Sequence, residues 1–264
     1  MYAFDYVRPK SVDEVASLLT EDDDAKILAG GMSFLPTMKL RLAQPSKVID
    51  LNALKDLREI KEETNGITIG AMATHGAVAY SPLVKRVIPG LAHMVEDIGD
   101  AQVKNRGTIG GSIANNDPAA DYPAAVVALG ATIRTNRREI DGEAFFTGMF
   151  ETALEQGEII TAVHFPKPES CAYAKFRNPA SRFALVGVFI AKRSDGIRVT
   201  VAGAGPVVFR VPAIEEALTK DFRAAAIDAV EVSADGLNSD IHAAADYRAH
   251  LIKVMAKRAL EGLR

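Results

Sequence analysis

Two glycine-rich stretches carry the chemistry that can be read from this sequence. Gly30-Gly31-Met32-Ser33 closes the apolar run "AKILAG", and Gly110-Gly111-Ser112 follows "RGT". Adjacent glycines expose successive backbone N–H groups without obstruction by a Cβ, and they tolerate positive φ. N–H groups presented this way form an anion-binding concavity, to which a serine hydroxyl adds a donor. Either loop alone is equally an ordinary turn. As a pair, each at the end of a predicted β run, they can face one another across a pyrophosphate.

Polar residues follow the second loop: Asn115, Asn116, Asp117 and Asp121. Asp117-Pro118 has the pattern of a helix start, with Asp as N-cap and Pro in the first turn. Asp121 then falls one turn inside that helix, where its carboxylate can accept hydrogen bonds from polyol hydroxyls or simply sit favourably at the positive helix end. Other motifs fail. "VTVAGAGPV" has Gly203-x-Gly205 after a strand, but the dinucleotide fingerprint needs a third glycine on a helix, and this chain has Val208 there after Pro206. A turn between strands is expected instead. The sequence contains no P-loop, G-x-S-x-G elbow or H-E-x-x-H pair.

The elements that must position these loops fall into three textures. In residues 1–55, "SVDEVASLLTE" opens with a capping box, Ser11 to Glu14, and "AKILAG" and "KVIDL" read as strands. This predicts a small parallel α/β unit. Residues 56–166 mix short strands with helices: Asn65-Gly66 marks one hairpin, "ATIRTNRREID" another, and "EIITAVHFP" a closing strand. Between them, "THGAVAYSPLVKRVIPGLAHMVEDIG" is helical with Pro82 and Pro89 as punctuation, and "PAADYPAAVVALG" is a helix ended by Gly130. Residues 167–264 read as antiparallel strands followed by two helices. Strands then helices, rather than strict alternation, indicate an α+β class.

Composition narrows the function. A formal charge of −3 offers no basic excess for a polyanion, which disfavours nucleic acid. No apolar run is long enough for a membrane span, and no secretory leader is visible at "MYAFDYVRPKSVDEV", so a cytoplasmic protein is expected. A single cysteine, Cys171, excludes an internal disulfide and a cysteine-ligated iron–sulfur cluster within the chain. The five histidines show no metal-binding spacing and read as packed or solvated, so no metal site is expected.

On "LAGGMSFLPTMKLRL" (28–42), "RGTIGGSIANNDPAADYPAAVVALGA" (106–131) and "YAKFRNPASRFALVGVFIA" (173–191), the chain resembles the FAD-binding medium subunits of molybdenum hydroxylases, the aerobic carbon monoxide dehydrogenase and xanthine dehydrogenase family. "FDYVRPKSVDEV" and "GEIITAVHFP" extend the likeness to nearly the whole length. The resemblance implies an α+β, two-subdomain FAD-binding fold of the PCMH/VAO-like type with a C-terminal domain of antiparallel sheet and helices. It implies a noncovalent FAD. The family's first FAD motif falls on Ile27, Leu28, Ala29, Gly30, Gly31, Met32, Ser33 and Phe34, and its second on Thr108, Ile109, Gly110, Gly111 and Ser112. The flavin-contacting aspartate matches Asp121, a later apolar contact aligns with Ile160 (or Ile159), and the lysine near the flavin matches Lys175. Many relatives shield the flavin with a tyrosine after that lysine; the aromatic taken for it here is Phe183, which can stack but lacks the hydroxyl.

The resemblance further implies that a large partner subunit holds the molybdenum cofactor and a small partner subunit holds 2Fe–2S clusters. Electrons then pass through the FAD to an external acceptor. No side chain of this chain need serve as catalytic acid, base or nucleophile, because the flavin carries the redox chemistry. Two other readings remain at this stage: a self-contained flavin-dependent reductase or oxidase, and an assembly protein whose glycine loops are only structural. The substrate and the acceptor, quinone, NAD or other, stay open.

Overall fold

The computed structural model describes residues 1–263. Strand β1 (Asp5–Val7), helix α1 (Val12–Glu21), strand β2 (Lys26–Leu28), helix α2 (Phe34–Lys39) and strand β3 (Lys47–Asp50) form the expected parallel unit, in strand order β1-β3-β2. Ser11 caps α1 by accepting from the Glu14 N–H at 3.1 Å, while the Glu14 carboxylate takes the Lys10 N–H at 2.7 Å. Its small core gathers Val15, Ile49 and Leu51, and is completed by Met72 and Ile159 from farther along the chain.

The chain continues through β4 (Ile60–Glu63) and β5 (Gly66–Gly70), joined by a turn at Thr64-Asn65 with Gly66 paired opposite Glu63, into five helices. These are α3 (His75–Tyr80), α4 (Pro82–Val87), α5 (Pro89–Glu96), α6 (Ala101–Arg106) and α7 (Ile109–Asn115), followed by α8 (Tyr122–Leu129). Pro82 and Pro89 each occupy a first helical turn, where the missing N–H costs nothing. Then come β6 (Thr132–Thr135), β7 (Glu139–Asp141), the one-turn α9 (Gly142–Phe145), the short hairpin β8 (Phe146–Gly148) and β9 (Glu151–Thr152), and β10 (Ile160–Pro166). The sheet β4-β5-β10-β6-β7 is antiparallel throughout. Alternation explains its two faces: Ile67, Ile69, Ile133, Val163 and Phe165 enter the main core, while Glu63, Thr68, Arg134 and His164 make a polar network on the other face.

Strands β11 (Ser170–Arg177), β12 (Ala184–Arg193), β13 (Gly196–Ala202) and β14 (Phe209–Arg210) form a second antiparallel sheet, followed by α10 (Pro212–Lys220) and α11 (Ala245–Glu261). One face sends Cys171, Tyr173 and Phe189 into the main core; the other packs Val186, Val188 and Val201 against α10 and α11. Burial on both faces is why β12 reads as an unbroken apolar run rather than an alternating one. The Gly203 turn is structural, as expected: Gly203 has φ +83° and its N–H donates to Pro118 O at 2.7 Å. No helix among the described residues is long and apolar enough to cross a membrane.

One expected boundary is corrected. Asp117-Pro118 does not begin α8. The Asp117 carboxylate accepts from the Ala119 N–H at 2.8 Å, a local turn, and Asp121 stands at the N-cap position instead of one turn inside. Aspartate satisfies a turn two residues on as readily as it caps a helix, so the dipeptide alone does not decide.

Candidate functional site

The two glycine loops meet at one cavity of about 520 Å³, a size suited to a bound small molecule. Gly30 is where they touch. A Cβ built on Gly30 would lie 2.0 Å from Arg106 O and 2.8 Å from Gly107 Cα, so only glycine permits the approach. Gly31 has φ +75°, a conformation that costs other residues strain. Among the described residues, the N–H groups of Gly31, Met32 and Ser33 have no protein acceptor, and neither the Ser33 nor the Ser112 hydroxyl has a partner. Three successive unclaimed donors beside a hydroxyl form the cradle inferred from the sequence.

The second loop is built differently from the expectation. Gly110 and Gly111 do not end a strand; they lie in the first turn of α7, with Thr108 as N-cap. Its donors are already used: Ile109 N–H to Ala73 O at 3.1 Å, Gly110 N–H to Ala71 O at 2.8 Å, Gly111 N–H to Thr108 Oγ1 at 3.1 Å and Ser112 N–H to Thr108 O at 3.0 Å. This loop is therefore a preformed wall that contributes the Ser112 hydroxyl and a close backbone surface rather than a ring of free amides. Gly110 must be glycine because a Cβ there would meet Ala71 at 2.6 Å.

All of the sequence-predicted positions line this cavity except Leu28, Ile109 and Lys175. Leu28 lies beneath Gly31, and Ile109 is fully buried in the main core. Ile159 and Ile160 both reach the wall. Glu158 beside them is clamped by Arg138 at 2.9 Å, which holds its carboxyl down at about 2.

Lys175 stands behind Asp121. Its ammonium lies 3.1 Å from the Asp121 carboxylate, 3.1 Å from Asp97 O and 3.7 Å from the Asp97 carboxylate, and its side chain is 1% exposed. The other Asp121 oxygen accepts from the Tyr173 hydroxyl. Burial pushes the Asp121 pKa up, against the pull of Lys175 and Tyr173. The cavity wall is thus the carboxylate, with the lysine as its counter-charge.

Phe183 is the only described residue after Ile160 that lines the cavity. It sits at the β11–β12 tip, after Arg182 at φ +64°, where Asn178 Oδ1 accepts from the Ala180 and Ser181 N–H groups. Its ring is 45% exposed and stands at the rim. The sequence reasoning did not single out Ile98 or Val103, and read His75 with the other histidines as packed or solvated; all three line the site. Nothing local marks them, because their cavity neighbours come from other elements.

The charge balance is unusual for a phosphate-sized anion site. Lys26 is the only lysine or arginine lining the cavity among the described residues, whereas Asp117, Asp121 and Glu158 all border it. The donors that the cavity offers an anion are neutral N–H and O–H groups. The residues fit a dinucleotide: unclaimed amides and a serine, apolar Ile98, Ile160 and Phe183, and the Asp121 carboxylate all line the one cavity.

Residues 2–168 match the profile described as the FAD binding domain in molybdopterin dehydrogenase. The chain is 36% identical over 275 residues to the carbon monoxide dehydrogenase medium chain of Hydrogenophaga pseudoflava, covering 97% of this chain and 96% of that one. It is 35% identical over 274 residues to the nicotine 6-hydroxylase medium subunit of Paenarthrobacter nicotinovorans, covering 98% and 96%. Among solved structures, carbon monoxide dehydrogenase from Hydrogenophaga pseudoflava superimposes with a TM-score of 0.90 at 37% identity, covering 98% of this chain and 96% of that chain. Quinoline 2-oxidoreductase from Pseudomonas putida 86 gives 0.89 at 29% identity, covering 99% and 96%.

Proposed function

Since this chain belongs to the family of FAD-binding domains of molybdopterin dehydrogenases, as an oxidoreductase medium subunit, we propose that it is the electron-transfer module of its complex. In this reading it acts in the cytoplasm, takes electrons from 2Fe–2S clusters of a small partner subunit and delivers them to an external acceptor. A large partner subunit holds the molybdenum cofactor and selects the substrate. The observation that carries the reading is the pairing of an amide-donor loop, Gly31 to Ser33, with the α7 wall across one cavity.

When bound, FAD supplies reversible redox chemistry that no amino-acid side chain provides. The chain's own residues hold and orient it. Gly31, Met32, Ser33 and Ser112 offer neutral donors to the pyrophosphate, Asp121 accepts from cofactor hydroxyl or N–H groups, and Ile98, Ile160 and Phe183 give the cofactor apolar surface that excludes water. Lys175 and Tyr173 oppose the effect of burial on Asp121 and hold its carboxyl in place on the wall as an acceptor. We divide the chain accordingly into 1–55 and 56–166, which hold the cofactor between them, and 167–264, which adds Phe183 at the rim.

The test is purification of the chain with its partners. A yellow protein that releases FAD on denaturation, and that co-purifies with a molybdenum subunit and an iron–sulfur subunit, is the expected result. Colourless protein that takes up no FAD rejects the flavoprotein reading. Substantial substrate turnover by the isolated chain would replace the subunit reading with that of an independent enzyme.

A further inference from the structure

His75 is the first residue of α3, and its backbone is fixed against the second glycine loop. Thr74 bridges to Thr108, Thr74 Oγ1 accepts from the Ala77 N–H at 3.2 Å, and the His75 N–H donates to Gly107 O at 2.9 Å. The side chain is held as firmly. The residue is 5% exposed, and the Tyr122 ring packs against the imidazole at 5.5 Å between centroids.

Neither ring nitrogen has a protein hydrogen bond. Nδ1 is fully buried and unpartnered, whereas Nε2 lies at Gly107: a Cβ there would be 2.5 Å from it. Gly107 is also the residue that Gly30 approaches. The imidazole edge therefore stands where the two loops meet, and His75 lines the cavity.

Two physical arguments define what this ring offers. A buried N–H without an acceptor is rarer and costlier than a buried lone pair without a donor, so the proton belongs on Nε2 and the lone pair on Nδ1. Burial also holds the ring neutral, pushing its pKa down to about 4. The outcome is a fixed, uncharged N–H donor at the cavity wall. If the position served packing alone, a leucine or phenylalanine would fill it without desolvating two nitrogens.

We propose that His75 is a cofactor-binding residue, whose Nε2–H donates to an oxygen of the bound dinucleotide at the junction of the Gly30 and Gly107 loops. This rests on the FAD reading above. It adds a donor from outside both glycine motifs and assigns Gly107 the role of leaving that donor uncovered.

The experiment is an FAD titration of apoprotein carrying wild-type His75, His75→Leu or His75→Gln, with far-UV circular dichroism and thermal midpoints as fold controls. The leucine variant should bind FAD at least roughly tenfold more weakly, and glutamine, whose amide can reach the Nε2 position, should recover most of the loss. Competition by ADP and by FMN tells which half of the dinucleotide supplies the oxygen: the half whose affinity falls in His75→Leu carries it. Imidazole ¹⁵N spectra of the wild-type protein test the same point without any variant. They should show the Nε2–H tautomer and a shift of that signal on FAD addition. A folded leucine variant with unchanged FAD affinity, or a wild-type Nε2 signal unmoved by bound FAD, overturns the inference. Wild-type protein that binds no FAD overturns instead the reading on which it rests.

Discussion

Lys175 and Asp121 form a buried ion pair, 3.1 Å between nitrogen and oxygen, in which only the aspartate faces the cofactor cavity. The pair links the second sheet to the N-terminus of α8, since Lys175 lies on β11 and Asp121 at the helix cap. Its value is in being complete. Removing one member leaves the other charged and buried, whereas removing both leaves only a modest polar gap.

Lys175→Met should accordingly destabilise the protein by about 3–5 kcal/mol in denaturant unfolding. The double variant Lys175→Met with Asp121→Asn should recover a large part of that loss. Strictly additive single and double effects would show that the two side chains are not coupled.

Gly30→Ala should cost about 1–3 kcal/mol or more and abolish FAD uptake, because its Cβ would collide with Arg106 O at 2.0 Å. Gly262→Ala is the matched control: its nearest neighbour would be 3.4 Å away, and its stability and FAD uptake should be unchanged. Thermal unfolding and flavin absorbance measure both.

His75 sets a pH dependence on the apoprotein. Its folded pKa, about 4, lies below the 6.5 of a free imidazole, and burial is the cause. The unfolded chain therefore binds the proton first, and stability falls as pH drops from about 6.5 to about 4. Above that window the contribution is complete, and below it the loss levels off at about 3 kcal/mol. His75→Leu should remove this segment of the slope in a series of unfolding curves; an unchanged slope would refute the assignment.

Cys171 is buried at the Gly90 end of α5, and burial pushes its thiol up to about 11. A thiol reagent at neutral pH should label it only on unfolding. Rapid labelling of the native protein would contradict the packing.

FAD affinity should depend weakly on salt. With Lys26 the single lining cation among the described residues, raising the ionic strength to roughly 0.5 M should change Kd by less than about threefold. A steep decline would point to an unrecognised cationic contribution.

The residues reveal some of these features in sequence and hide others, for physical reasons. Gly31 is legible because its positive φ is a local property that glycine permits, and Asn65-Gly66 because a hairpin turn is set by adjacent residues. The α7 helix is obscured because two glycines and two β-branched isoleucines lower its helix propensity. Ile109 and Ile113, both fully buried, override that preference through packing. Asp121 is legible as a wall residue, but the retreat of Lys175 behind it is not, because that depends on the register of β11 against β12 and on Asp97. His75 is hidden for a similar reason: its significance comes from Gly107 and Tyr122, which reach it only in the folded chain.

The unequal use of backbone donors in the two glycine loops sets a division of labour in time. The α7 wall has already spent its N–H groups, so it is finished before any ligand arrives and serves as a gauge of fixed position. Gly31, Met32 and Ser33 keep theirs for a ligand: hydrogen exchange should slow there on FAD binding while the 109–112 amides scarcely change. In the proposed complex a dinucleotide is thus measured by one side of the cavity and gripped by the other.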